Sequence, residues 1–173
     1  PPQREMSGRK EGMRAMDRAS VFVAGSWGTA LASVLADNGR DVLIWTRSAA
    51  QAAEINERHT NEKYLPGAAL APRIRATTDI AEAASFGEAL LFAAPTSAMR
   101  AVARGAAGSM RPEQLVIHAA KGFEEDTLKR MSAVLEEELG REPGSVVVLS
   151  GPSHAEEVIA RQPTTVVVAS RRA

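Results

Sequence analysis

The sequence predicts an α/β domain in which a mostly parallel sheet is buried between helices. From Ser20 onward, short apolar runs rich in valine and isoleucine alternate with segments of helical periodicity. This alternation is typical of strands covered on both faces by crossover helices. The chain has 173 residues, enough for one domain with a substantial core and too few for two of ordinary size.

The elements follow in order along the chain. The predicted strands are residues 20–24, 41–46, 88–93, 114–118 and 145–149, with weaker signals at 73–76 and 164–169. The predicted helices are residues 27–37, 49–57, 97–106, 125–139 and 153–160. Asn38-Gly39 and Gly140 end the first and the longest helix, because these residues accept left-handed backbone. Residues 1–19 lack a sustained period and are expected to be a poorly ordered leader, which leaves 20–173 as the domain.

Composition excludes several classes of function. Lysine plus arginine and aspartate plus glutamate both number 21, so bulk charge favours neither nucleic acid nor an anionic membrane as partner. The absence of cysteine excludes disulfides, thiolate metal sites and a cysteine nucleophile, and it suits a reducing, cytoplasmic setting. No apolar run approaches the roughly 20 residues that span a bilayer, so membrane insertion is not expected.

The strongest local signal joins the first strand to the first helix. Val23-Ala24-Gly25-Ser26-Trp27-Gly28 brings a buried strand into a turn with two glycines. Such a turn lets a pyrophosphate approach backbone N–H groups at a helix N-terminus, where the helix dipole favours negative charge. Val23 replaces the first glycine of the usual three, and a tight turn without any ligand would also use Gly25 and Gly28.

The end of the second strand indicates which nucleotide is preferred. An acidic residue there would bind the ribose hydroxyls of NAD, whereas this sequence has Arg47. An arginine can hold the 2′-phosphate of NADP with a forked pair of hydrogen bonds. The pattern favours NADP without excluding NAD, and a solvated surface arginine is the alternative.

Further polar residues follow three later strands. Ser97 is placed to cap a helix, Lys121 comes just after the fifth strand, and Gly151-Pro152-Ser153 precede another helix. Because parallel strands end at one edge of a sheet, Lys121 would reach the same crevice as the glycine turn and could hold a phosphate or polarise a carbonyl oxygen. Alternatively, Lys121 is a solvated charge and Ser153 is a simple cap.

Histidines give no metal signal. The separations of His59, His118 and His154 suggest no pair of ligands, and no carboxylate lies at helical ligand spacing from them, so no metal is expected.

Taken together, these motifs resemble bacterial NAD(P)-dependent glycerol-3-phosphate dehydrogenases. The resemblance runs from about residue 20 to residue 170 and rests on motifs that occur in the same order. These are residues 24–32 (Ala-Gly-Ser-Trp-Gly-Thr-Ala-Leu-Ala), Lys121-Gly122, and Leu149-Ser150-Gly151-Pro152-Ser153 with Ala155 and Glu157, supported by Tyr64-Leu65-Pro66-Gly67 and Pro163-Thr164.

The resemblance implies a Rossmann-like, doubly wound sheet with helices on both faces, and a specific activity. The family interconverts glycerol 3-phosphate and dihydroxyacetone phosphate with NAD or NADP, in glycerophospholipid synthesis. By resemblance, the cofactor would contact Ser26 and Trp27 at the turn, Arg47 beside the adenosine ribose, Lys121 and Ala155. Glycerol 3-phosphate would contact Lys121, Gly151 and Ser153.

The sequence departs from the family in two respects. Val23 stands in the tight turn, and the family continues into a helical domain that carries its proton-transfer lysine, whereas this sequence ends at Ala173. We therefore expect the cofactor-binding half, with no catalytic residue of its own, which binds but scarcely turns over. The alternatives are a non-catalytic nucleotide-binding or sensor module and a dehydrogenase for another hydroxy acid. A homo-oligomer is expected if the face that the second domain would cover stays apolar.

Overall fold

The computed structural model describes residues 16–171, so most of the predicted leader lies outside the described residues. The strands are β1 (Arg18–Phe22), β2 (Asp41–Trp45), β3 (Ile74–Thr77), β4 (Ala89–Phe92), β5 (Leu115–His118), β6 (Val147–Ser150) and β7 (Val167–Ala169). The helices are α1 (Ser26–Asp37), α2 (Ala49–Arg58), α3 (Ile80–Phe86), α4 (Thr96–Ala107), α5 (Met131–Glu138) and α6 (Ala155–Ile159).

The strands form one sheet in the order β3-β2-β1-β4-β5-β6-β7. Every neighbouring pair is parallel except β6 and β7, which are antiparallel. The chain first builds outward from β1 to β3 and then returns to place β4 on the other side of β1. The carboxyl ends of β1 and β4 therefore form the switch point where open α/β sheets bind ligands.

Helices cover both faces of the sheet, because successive residues of each buried strand point to opposite faces. Phe22 and Phe92 stack with ring centroids 4.4 Å apart on the face covered by α3, α4 and α5. Val21 and Ile44 pack on the other face with residues of α1 and α2. The predicted doubly wound α/β fold is confirmed.

Two local predictions were wrong, and one helix was missed. Helix α3 was not predicted; Asp79 begins it by accepting hydrogen bonds from the N–H groups of Ala81 and Glu82. Helix α5 begins at Met131 and not at residue 125, because the preceding segment turns at Leu128, whose φ is 55°. Ser97 is not a cap, because α4 already begins at Thr96.

An apolar groove of about 540 Å³ lies beside α1. Its walls include Trp27 and Leu31 of α1, Ile117 of β5 and Val168 of β7. The neighbouring β7 is an edge strand, and its Val167 and Val168 are 57% and 64% exposed. Among residues 16–171, no helix is long and apolar enough to cross a membrane.

Candidate nucleotide-binding site

The turn between β1 and α1 starts with an unusual backbone conformation. Val23 has a φ of 82°, and its N–H donates to the carbonyl of Trp45 at 3.0 Å. Positive φ brings Cβ close to the backbone, and a β-branched residue tolerates it poorly. The turn is therefore formed with strain at the position where the sequence pattern expects glycine.

The two glycines of this turn have different surroundings. A Cβ placed on Gly28 would stand 2.2 Å from the carbonyl oxygen of Val23, so the helix can approach the strand only because that side chain is absent. A Cβ on Gly25 would meet nothing within 4 Å, and Gly25 lines an open cavity. Gly28 therefore serves the packing of α1, whereas Gly25 leaves space in front of the turn.

The N-terminus of α1 carries free N–H groups. Gly25 precedes the helix and provides no side-chain cap, and the first amide bonded back to the turn is that of Thr29, which donates to Gly25 O at 2.9 Å. Within the described part of the chain, no hydrogen bond uses the amides of Gly25, Ser26, Trp27 or Gly28. Such groups, at the positive end of the helix dipole, form an anion-binding surface.

One cavity, the β2-side cavity, adjoins this turn and has a volume of about 640 Å³. Arg47 and Lys63 contribute two cationic side chains to its lining, which includes no carboxylate. Arg47 is exposed, and Ser48 beside it caps α2 by accepting a hydrogen bond from Gln51 N at 3.2 Å. The chemistry of this cavity suits an anionic group such as a 2′-phosphate.

A second cavity, the β5-side cavity, has a volume of about 490 Å³ and lies on the other side of the turn. It collects the predicted site residues Gly25, Ser26, Trp27, Lys121, Ser153 and Ala155. Val23 lines both cavities, which together form one cleft at the switch point. Trp27 also lines the apolar groove, so the same indole forms part of the wall of the groove and part of the wall of the β5-side cavity.

Lys121 and Ser153 meet in this cleft. The Nζ atom of Lys121 donates to the carbonyl oxygen of Ser153 at 3.4 Å. The alternative role of Ser153 as a cap is wrong, because α6 begins at Ala155 after His154, whose side chain makes no capping bond. Gly151 does not line the cavity; a Cβ there would stand 2.7 Å from Thr165 O. Its contact with glycerol phosphate stays a prediction.

An ion pair that sequence reasoning missed holds the loop of Lys121. The guanidinium of Arg100 on α4 donates hydrogen bonds to both carboxylate oxygens of Glu124, at 2.7 and 2.8 Å, and to Glu138 of α5 at 2.6 Å. Hydrogen bonds from Arg100, and secondarily Thr127, lower the pKa of Glu124 to about 2. The loop is thus fixed to two helices three residues after Lys121.

Of the three histidines, His154 lines the β5-side cavity. His118 is buried, and burial lowers its pKa, so its imidazole is neutral near pH 7. Among residues 16–171, no group of three His, Asp or Glu residues is placed to hold a metal ion.

The open helix terminus, the glycine turn and the cleft at the switch point define a nucleotide-binding domain of the Rossmann-like class. The sequence profile described as the N-terminus of NAD-dependent glycerol-3-phosphate dehydrogenase matches residues 18–173. The chain belongs to this family and represents its nucleotide-binding half.

Individual relatives agree with this assignment. The chain is 50% identical over 155 residues to glycerol-3-phosphate dehydrogenase [NAD(P)+] of Lysinibacillus sphaericus, covering 89% of this chain and 46% of the relative. Identity with the Enterococcus faecalis enzyme of the same name is 49%, over 88% of this chain and 45% of that one. The crystal structure of glycerol-3-phosphate dehydrogenase from Coxiella burnetii superposes with a TM-score of 0.83 at 30% identity, covering 90% of this chain and 47% of that one. The chain thus spans about half the length of the relatives it matches.

Proposed function

We propose that this chain binds NADP or NAD in the cleft and that the whole protein interconverts glycerol 3-phosphate and dihydroxyacetone phosphate for glycerophospholipid synthesis. One observation carries the proposal. Six residues from three separate segments, Gly25, Ser26, Trp27, Lys121, Ser153 and Ala155, line one cavity at the open N-terminus of α1.

The residues present fit a dinucleotide. The unpaired amides at the start of α1 offer donors for a pyrophosphate, and the empty space beside Gly25 lets it approach them. Arg47 and Lys63 would hold an adenosine 2′-phosphate in the β2-side cavity. Ser26, Trp27 and Ala155 would contact the cofactor on the β5 side.

The proposed chemistry divides between cofactor and chain. The nicotinamide, when bound, supplies or accepts the hydride. Lys121 would place an ammonium group at the substrate, where it stabilises negative charge on the phosphate or on the C2 oxygen. Ser153, whose carbonyl accepts a hydrogen bond from Lys121, would contribute polar groups to the same pocket. Gly151 lies two residues earlier, outside the lining of the cavity, and its contact with glycerol phosphate stays a prediction.

Titration with NADPH and NADH tests the cofactor proposal. Trp27 and Trp45, the two tryptophans of the sequence, line the cleft cavities, so their fluorescence reports binding directly. Arg47→Ala should weaken NADPH binding about 10- to 100-fold, because a hydrogen-bonded charge contributes ~1.5–3 kcal/mol, while NADH binding should change little. Arg73→Ala, at the opposite edge of the sheet, is the matched control. Absence of saturable binding to either nucleotide would refute the proposal.

Repeating the titration with glycerol 3-phosphate tests the substrate. We expect glycerol 3-phosphate to change the affinity for the nucleotide, and Lys121→Met to abolish that change while leaving nucleotide binding measurable. A non-catalytic nucleotide-binding module would bind NADPH with no response to glycerol 3-phosphate.

Compartment and assembly form a separate part of the proposal. A chain without cysteine suits the reducing cytoplasm, which we propose as its compartment. We also propose a homo-oligomer, supported by the edge position of β7 and by the exposure of its valines.

A further inference from the structure

Two side-chain amides lie directly beneath the glycine turn. Asn61, in the loop after α2, is 1% exposed; its Nδ2 donates to Ala24 O at 3.1 Å and to Thr29 Oγ1 at 2.8 Å. Gln51 of α2 donates from Nε2 to the same Ala24 O at 2.7 Å and to Asn61 Oδ1 at 3.0 Å. The carbonyl of Ala24 therefore accepts two amide donors, which are themselves hydrogen-bonded to each other.

We propose that Gln51 and Asn61 are positioning residues for the dinucleotide pyrophosphate, an inference that rests on the proposed function. In a trans peptide the C=O and the N–H point in opposite directions. The two amides hold the C=O of Ala24 toward the interior, so the N–H of Gly25, which belongs to the same peptide, points away from them. This N–H has no partner among the described residues and lies where Gly25 lines the β5-side cavity.

The same two amides fix the neighbours of this peptide. Thr29, which accepts a hydrogen bond from Asn61, lies on the first turn of α1 and orients the remaining free amides. The carbonyl of Asn61 accepts the N–H groups of Tyr64 and Leu65, and Tyr64 O in turn accepts the hydroxyl of Ser26 at 2.9 Å. Loop, turn and helix start are thus held as one unit before any phosphate arrives.

Pre-organisation gives these residues an effect on binding that differs from their effect on folding. Gln51→Met leaves Asn61 Oδ1 without its donor and so costs some stability, but Ala24 O keeps its hydrogen bond from Asn61. A turn peptide that is free to rotate would, however, have to be ordered by the ligand itself, which weakens affinity.

The test compares two hydrogen-bonded glutamines, Gln51, which is partly buried, and Gln114, which is buried. Gln51→Met removes the amide beneath the turn. Gln114→Met is the matched control, because Gln114 Nε2 likewise donates two hydrogen bonds, to the backbone carbonyls of Ala84 at 2.9 Å and Gly87 at 2.6 Å. Gln114 lies before the start of β5, on the opposite edge of the sheet. NADPH affinity is measured by fluorescence titration, and the amide signal of Gly25 is followed by NMR.

We expect Gln51→Met to bind NADPH about tenfold more weakly and to reduce the shift of the Gly25 amide signal on binding, because a hydrogen bond to a charged group is weakened. Gln114→Met should keep the affinity of the unaltered chain even where it lowers stability. The NADPH affinity is corrected for the fraction of each variant that is folded. If Gln51→Met and the unaltered chain then bind NADPH equally well, the inference is overturned and the proposed function stands. If the unaltered chain binds no nucleotide, both fail.

Asn61→Leu is the second variant. Asn61→Leu should lower the affinity for NADPH more than Gln51→Met does, because Asn61 is more deeply buried than Gln51. Should it fail to fold, Gln51→Met decides the question alone, since Gln51 is only partly buried.

Discussion

Val23 offers the sharpest test of how this turn is formed. Its φ of 82° would cost a glycine nothing, whereas any residue with a Cβ is strained there. Two substitutions separate the strain from the packing of the side chain. Val23→Ala removes the branched side chain and keeps Cβ, whereas Val23→Gly removes Cβ as well.

The magnitude follows from three contributions. Left-handed backbone costs a residue with a Cβ roughly 1–2 kcal/mol. Glycine loses about 0.5–1 kcal/mol more conformational entropy on folding than alanine does. The Gly variant should therefore be more stable than the Ala variant by about 1 kcal/mol. Both lose the contacts of the half-buried valine with the core, so neither need exceed the unaltered chain in stability.

Urea unfolding followed by tryptophan fluorescence measures this difference. Ala53→Gly, at an exposed position inside α2, is the control and should cost about 1 kcal/mol in the opposite direction. Val23→Gly should also bind NADPH more tightly than the unaltered chain, because Val23 lines both sides of the cleft. A Gly variant less stable than the Ala variant, by the margin seen at Ala53, would refute the argument from positive φ.

Four further results are expected. Gly25→Ala should change the free energy of unfolding by less than about 1 kcal/mol but weaken NADPH binding at least tenfold in the titration, since Cβ would enter the cleft. Gly28→Ala should lower stability by about 3 kcal/mol in urea unfolding, because its Cβ would overlap Val23 O; a smaller loss than that of Gly25→Ala would contradict this. The pKa of Glu124 is about 2 in the fold against an ordinary 4.5, so its stabilising effect is complete above pH 4.5 and is lost as pH falls toward 2. Unfolding curves of Glu124→Gln should therefore depend less steeply on pH in that range, and an unchanged slope would remove this carboxylate from the explanation. Val168→Lys on β7 should reduce self-association in sedimentation, and unchanged self-association would contradict a contact through β7.

Periodicity and turn residues were enough to predict most of the fold. The strands are short, β2 and β4 are almost wholly apolar, and Gly39 adopts the positive φ expected after α1. Helix α3 was missed because seven alanine-rich residues are too few for a clear period, although Asp79 is a recognisable cap. The start of α5 was misplaced because residues near Glu124 respond to Arg100, 24 positions away, rather than to their local helical preference.

The site was predictable where it depends on local backbone and not where it depends on distant contacts. Gly25 and Lys121 follow strand ends, so their place at one edge is implied by parallel pairing. Asn61 reaches Thr29 across 32 positions, and nothing in its local sequence indicates that it lies beneath the turn. Gly151 leaves room for the segment at Thr165 to pass close by, a proximity that only the folded chain reveals.

The indole of Trp27 separates the β5-side cavity of the cleft from the apolar groove, because it lines both of them. An occupant of the groove that fixed this ring would also fix one wall of the β5-side cavity. Linkage makes the effect reciprocal, so a nucleotide that orders the ring changes the affinity of the groove for its occupant by the same factor. A single aromatic ring thereby connects the apolar groove with the carboxyl edge of the sheet, where the cleft lies.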